Sequence, residues 1–231
     1  MRQNPCRPLL LAVATAALIV AAAAHAEGTA PAPAASASYS LGLSFANQWR
    51  EGGLGEGLSQ DDLLRGIRDG LGGKALTPED RARAGEFLKA VYEGLGERNK
   101  AAARAFLDKN GKEKGVATTA SGLQYTVLAG GDAAAPTAAA NDRVTVQYRG
   151  TLLDGTEFDS SIARGKPAVV RPGTVIAGWR EALGLMHTGA KWRVFIPPEL
   201  GYGSTPPPSI PPNSLLVFEI EVLGIEAARP N

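Results

Sequence analysis

Reactive side chains are scarce in this sequence: its 231 residues include one cysteine and two histidines. Cys6 and His25 flank an apolar N-terminal run, so the rest of the chain holds one histidine, His187, and no thiol. A Ser-His-Asp arrangement would have to use His187, which sits in "MHTGAKW", a polar turn before a strand, where a solvated turn histidine is expected. One imidazole and no thiolate cannot furnish the usual zinc sets, so neither a metal nor another cofactor is implied, and disulfides are excluded. Glu219 and Glu221 alternate with apolar neighbours, as the wet face of a strand does, and do not read as a glycosidase pair. The glycines of "GLGEGLSQ" and "GLGG" follow no strand and have no phosphate-binding spacing, so they punctuate helices.

What remains is a set of aromatic and branched apolar residues at turns and strand ends: Tyr148, Phe158, Val175, Ile176, Trp179, Tyr202, Ile210 and Phe218. Taken singly, each is more often a core residue than a site residue; what singles them out together is the motifs they sit beside. Beside this set runs "GYGSTPPPSIPPNSLLVF", with five prolines within the seven residues Pro206 to Pro212. A free polyproline ligand belongs in a polar, disordered tract, whereas this segment is pinned between Tyr202 and an apolar strand. The rigid lip of a pocket is therefore the favoured reading of this segment.

The elements that must position these residues fall into two parts. The opening "MRQNPCRPLLLAVATAALIVAAAAHAEG" has Arg2 and Arg7, no acid before Glu27, and an apolar run from Leu9 to Ala24 that is shorter than the roughly 20 residues a membrane span needs. Residues 1–26 are therefore expected to be a secretory signal peptide, leaving no integral membrane segment after removal, and residues 27–38 a flexible tether. Without Arg2 and Arg7 the chain has 22 basic against 23 acidic residues, which gives no electrostatic case for nucleic acid or an anionic membrane.

Residues 39–115 read as helical. "SQDDLLRGIRDGLGG" has Ser59 as N-cap and a glycine stop. The following stretch has Thr77 as cap, Pro78 at the first position and a stop at Asn110-Gly111. Its apolar residues, Phe87, Leu88, Val91, Tyr92, Leu95, Ala102, Ala103, Phe106 and Leu107, form a stripe on a helix about 50 Å long if continuous. With "LGLSFANQW", that stripe is expected to meet a second copy of the chain; an intrachain bundle broken at Gly94 and Gly96 is the alternative. Over residues 116–231 the period switches to two, in "LQYTVL", "RVTVQYRGTL", "KWRVFIP" and "LLVFEIEVLGI", around one short helix, "GWREALGLM". One wet face per strand implies an antiparallel sheet half wrapped around that helix, an α+β fold behind an all-α domain.

Four stretches in this order, "QYRGTLLDGTEFDSS", "VIAGWREAL", "IPPELGYG" and "IPPNSLLVFEIEVL", closely resemble the FKBP-type peptidyl-prolyl cis-trans isomerases over roughly Leu123 to Ile225. The helical part is similar to the bacterial macrophage infectivity potentiator-like and FkpA-like subgroup, in which it forms the dimer. The resemblance implies that Trp179 floors a cleft walled by Tyr148, Phe158, Val175, Ile176 and Phe218. It further implies that the Ile176 N-H and the Tyr202 hydroxyl hold substrate carbonyls, that Asp159 and Arg164 form a hydrogen-bonded group with Tyr148, and that the loop bearing Ile210 overhangs the cleft. The expected partners are proline-containing unfolded polypeptides and a homodimer mate, in the periplasm or at the outer-membrane surface. A dimeric holdase chaperone with a weak or inactive proline pocket is the alternative function.

Overall fold

A computed structural model describes residues 34–228 of the chain, apart from Gly52 and Glu56. The expected signal peptide and residues 27–33 of the expected tether lie outside the described residues. The chain splits into two units, Met1–Gly42 and Leu43–Asn231. Helix α1 spans Ala34–Glu51, so residues 34–38 are helical and not tether. They carry no large apolar residue, but alanine has the highest intrinsic helix propensity, and propensity here outweighs the missing periodicity.

In the second unit, helix α2 (Gln60–Leu71) begins where Ser59 Oγ accepts the Asp62 N-H at 3.3 Å, and ends at Gly72. Helix α3 (Pro78–Asn110) runs unbroken for 33 residues, through both Gly94 and Gly96. Its capping box is reciprocal: the Asp80 N-H donates to Thr77 Oγ1 at 3.1 Å, and the Thr77 N-H donates to Asp80 Oδ2 at 3.2 Å. Hydrogen bonds from Arg83 and Thr77 hold the Asp80 carboxyl at about 2.

Seven strands follow among the described residues: β1 (Val116–Thr118), β2 (Gln124–Gly130), β3 (Arg143–Thr151), β4 (Glu157–Ser160), β5 (Ala168–Val170), β6 (Ala190–Ile196) and β7 (Leu216–Glu226). Their order is β1-β2-β6-β7-β3-β4, β5 pairs with β3, and every pairing is antiparallel. Val144, Val146 and Tyr148 are buried on β3 while Thr145 and Gln147 are half-buried; Phe218, Ile220 and Val222 do the same on β7 against Glu219 and Glu221. Across the wet face Arg193 donates to Glu219 at 2.6 Å, which keeps that carboxyl below its ordinary range. Helix α4 (Ala177–Leu185) buries Trp179, Ala182 and Leu183 in the main core, joined by Met186 just beyond its end.

The stripe on α3 has two different covers. Its periodicity predicts a partner chain along its length, but at its C-terminal end the chain's own sheet takes that place. Ala103 is buried with Phe195 and Leu215, and Phe106, Leu107 and Val217 pack around them. The Phe106 and Phe195 rings lie 5.4 Å apart. Nearer the N-terminus Leu88 and Tyr92 are exposed, as are Leu43 and Phe45 of α1 and Leu64, Ile67 and Leu71 of α2.

Candidate functional site

Strands β3, β4 and β7, helix α4 and the loop Gly201–Leu215 converge on one aromatic cluster. Tyr148, Trp179 and Phe218 are buried from β3, α4 and β7 respectively. The Trp179 ring meets Tyr148 edge-on at 5.0 Å and Phe218 edge-on at 5.2 Å, while Phe158 from β4 meets Phe218 edge-on at 5.5 Å. These T-shaped contacts place ring edges on ring faces, the electrostatically preferred arrangement, and fix the rings against one another. Val175 and Ile176, at the entry to α4, pack against the same cluster, and Ile210 is buried within it. Seven of the ten expected site residues thus share one apolar wall.

Gly150 makes room for that wall. A Cβ at this position would lie 2.6 Å from the Phe218 ring and 2.9 Å from the Phe158 ring, so any side chain would push the pair apart. A glycine inside an alternating strand is a sequence signal of such a close approach.

The polar edge lies beside Phe158. The Tyr148 hydroxyl donates to Asp159 Oδ2 at 2.6 Å, and Arg164 donates from one guanidinium nitrogen to the Tyr148 oxygen at 2.7 Å and from another to Asp159 Oδ1. The guanidinium carbon also lies 5.4 Å from the centre of the Tyr148 ring. Burial opposes the Asp159 carboxylate, but the bonds from Tyr148 and Arg164 outweigh it and hold the carboxyl below its ordinary value. Burial and the carboxylate together raise the Tyr148 hydroxyl. Burial and the Asp159 charge do the same to Tyr202, which stays a neutral donor. The β4 end is fixed from below by Ser161, a fully buried residue whose Oγ accepts the Tyr148 N-H at 2.8 Å. Ser160 Oγ accepts the Ala163 N-H at 3.1 Å, turning the chain toward Arg164.

The proline-rich loop is closed on itself. The Asn213 N-H donates to the Gly203 carbonyl at 2.8 Å, the Ile210 N-H to Pro207 at 3.0 Å, and Ser214 Oγ to Pro211 at 2.8 Å. Ile210 points into the cluster and Tyr202 remains partly exposed at the other root of the loop. His187 is outside this group. It is half-buried, with Nδ1 2.6 Å from the Ala135 carbonyl, so it is a fastened turn residue and not the freely solvated one expected. The clasp joins residues 52 positions apart, which no local pattern discloses.

Comparison with known proteins bears on both parts of the chain. The family model for FKBP-type peptidyl-prolyl cis-trans isomerase matches residues 135–223, and that for the domain amino terminal to FKBP-type peptidyl-prolyl isomerase matches residues 34–127. The chain is 46% identical over 194 residues to the FKBP-type 22 kDa peptidyl-prolyl cis-trans isomerase of Escherichia coli, covering 80% of this chain and 92% of the relative. It is 39% identical over 200 residues to the outer membrane protein MIP of Legionella longbeachae, covering 81% and 82%. The crystal structure of FkpA from Escherichia coli superposes with a TM-score of 0.67 at 37% identity, covering 85% of this chain and 96% of that one.

Proposed function

The chain belongs to the FKBP-type peptidyl-prolyl cis-trans isomerases, and on that premise we propose that X-Pro bonds turn in the cleft floored by Trp179. The activity follows from membership; the observation that carries its location is the edge-on packing of Trp179 with Tyr148 and Phe218 beside a paired Asp159.

Rotation about an X-Pro bond is slow because the amide loses resonance when twisted, and no bond needs to break. The planar amide is the more charge-separated form, so transfer from water to an apolar wall penalises it more than the twisted form and lowers the barrier. Trp179 lies under the proline ring; Tyr148, Phe158, Val175, Ile176 and Phe218 form the walls; Ile210 covers the top. The Ile176 N-H and the Tyr202 hydroxyl hold the flanking carbonyls. Asp159 and Arg164 fix Tyr148 and leave no unpaired charge beside the amide. No side chain has to act as a base.

The substrates in this reading are proline-containing unfolded or secreted polypeptides, met in the periplasm after removal of residues 1–26 as a signal peptide. The apolar run Leu9 to Ala24 and a relative named as an outer membrane protein support that destination. The helices before residue 116 join two copies through Leu43, Phe45, Leu88 and Tyr92, all exposed in the single chain, and the resulting dimer adds chaperone activity. The test is relaxation of a Leu-Pro-Phe peptide from cis to trans, followed without a coupling protease. The full protein accelerates it, and Asp159→Ala lowers kcat/KM about tenfold. An unchanged rate in the folded variant would move the site elsewhere and favour a holdase.

A further inference from the structure

We propose that helix α3 is a positioning part of the isomerase: Gly96 and Asn99 latch the root of the proline-rich lip, setting where Ile210 stands over the substrate. The proposal rests on the cleft reading above.

Two side-chain hydrogen bonds make the latch. Asn99 Nδ2 donates to the Pro212 carbonyl at 2.8 Å, and Asn213 Nδ2 donates back to the Gly96 carbonyl at 3.3 Å. Proline has no N-H, so its carbonyl is the only polar backbone handle at position 212, and a donor on the helix is what it requires. Asn213 has φ 53, the only positive value outside glycine among the described residues. Asparagine tolerates that left-handed conformation better than most residues. Its N-H meanwhile reaches the Gly203 carbonyl at 2.8 Å. One residue therefore ties together the helix and both roots of the lip.

Gly96 explains itself at this contact. It is buried in the middle of a long helix, where glycine is a poor choice. A Cβ there would lie 3.1 Å from Asn213 Nδ2 and 3.5 Å from Pro212 Cβ, so the missing side chain is what lets helix and lip touch. The alternative of a break at this glycine gives way to a close approach. Beside the latch a cleft of about 540 Å³ opens between Tyr92 and Glu93 on the helix and Ser204 and Pro212 on the loop. The attachment there is discrete, and a lip freed from it has space to move. Ile210 precedes Pro212 by two residues in a segment stiffened by prolines, so a shift at the root is carried to the buried side chain.

The experiment uses the full-length protein with Asn99→Asp, which keeps the shape but replaces the donor with an acceptor, Asn99→Ala, and Gly96→Leu, which wedges the lip away while favouring the helix. Protease-free isomerisation is measured on Ala-Pro-Phe and Leu-Pro-Phe peptides, with thermal unfolding and amide exchange at Ile210 and Asn213. The expected result is a KM raised about fivefold with kcat within about twofold, a changed Leu/Ala preference, and faster exchange at both amides without a lowered Tm. Unchanged KM and peptide preference in folded variants would overturn the proposal. So would a fall in kcat that tracks Tm and leaves preference alone, since that is a purely structural effect. If Gly96→Leu does not fold, the Asn99 pair decides. Asp159→Ala runs alongside: if it too is silent, the cleft reading fails, whereas an impaired Asp159→Ala beside silent latch variants removes the latch alone.

Discussion

Helix α3 has a covered end and a bare end. Ala103, in the last two turns and a half, is 1% exposed against Phe195 and Leu215, whereas Tyr92 and Leu88, about three and four turns closer to the start, are 45% and 49% exposed. Both ends carry the same apolar stripe. The difference teaches that periodicity identifies a helix face needing cover but cannot say what supplies it, because the answer depends on which distant strands return to the helix. At the C-terminal end β6 and β7 return. At the other end, in our reading, a second copy does.

The sharpest break of that comparison is to put charge on the bare end. Leu88→Glu with Tyr92→Glu should raise the dimer dissociation constant at least about a hundredfold, worth about 2.7 kcal/mol, seen as monomer in analytical ultracentrifugation. Peptide isomerisation should persist in the monomer. Next in size is Phe106→Ala at the covered end, which should lower unfolding stability by about 2 kcal/mol in urea titrations while leaving the sedimentation coefficient of the folded protein unchanged. If Phe106→Ala instead dissociated the protein, the two ends would not be separable.

The smallest expected effect is a flat pH profile, which distinguishes a cleft that binds from one that exchanges protons. Asp159 has a lowered folded value, so its ionised state is fully present above about 3.9 and is lost only as pH falls through that lowered value. The Tyr148 and Tyr202 hydroxyls are raised from about 10 and stay protonated at neutral pH. Accordingly kcat/KM should vary less than about twofold between pH 5 and 8 and decline only in acid. A bell centred near neutrality would require a titrating base in the cleft.

Local chemistry was the legible part of this fold. Ser59 and Thr77 announce helix starts because a cap bonds to a backbone N-H three residues away, and alternation on β3 and β7 reports the buried face because side chains point to opposite sides in turn. The start of α1 is not legible in the sequence because Ala34 to Ser38 signal by propensity alone. The aromatic cluster can be assembled from the sequence as a list of types, and the Tyr148-Asp159-Arg164 group follows from the family resemblance, but the edge-on ring geometry joins separate strands and is visible only in the structure. Gly150 and Gly96 carry a readable signal, a glycine inside a regular element, yet the partner that each admits lies many residues away: Phe218 for one, Asn213 for the other. That is also why the sequence leaves a break at Gly96 open as an alternative.

The strand order has a kinetic consequence. β7 follows every other described element in sequence and sits inside the sheet, hydrogen-bonded to β6 on one side and β3 on the other. During synthesis β3 and β6 have no central neighbour until residues 216–226 have emerged, so the sheet cannot close progressively from its N-terminal side. The capped helices before residue 111 need only local contacts and can form long before that moment. A chain stopped a few residues short of Leu216 would carry complete helices and an unzipped sheet, with the aromatic cluster unmade because Phe218 had not arrived.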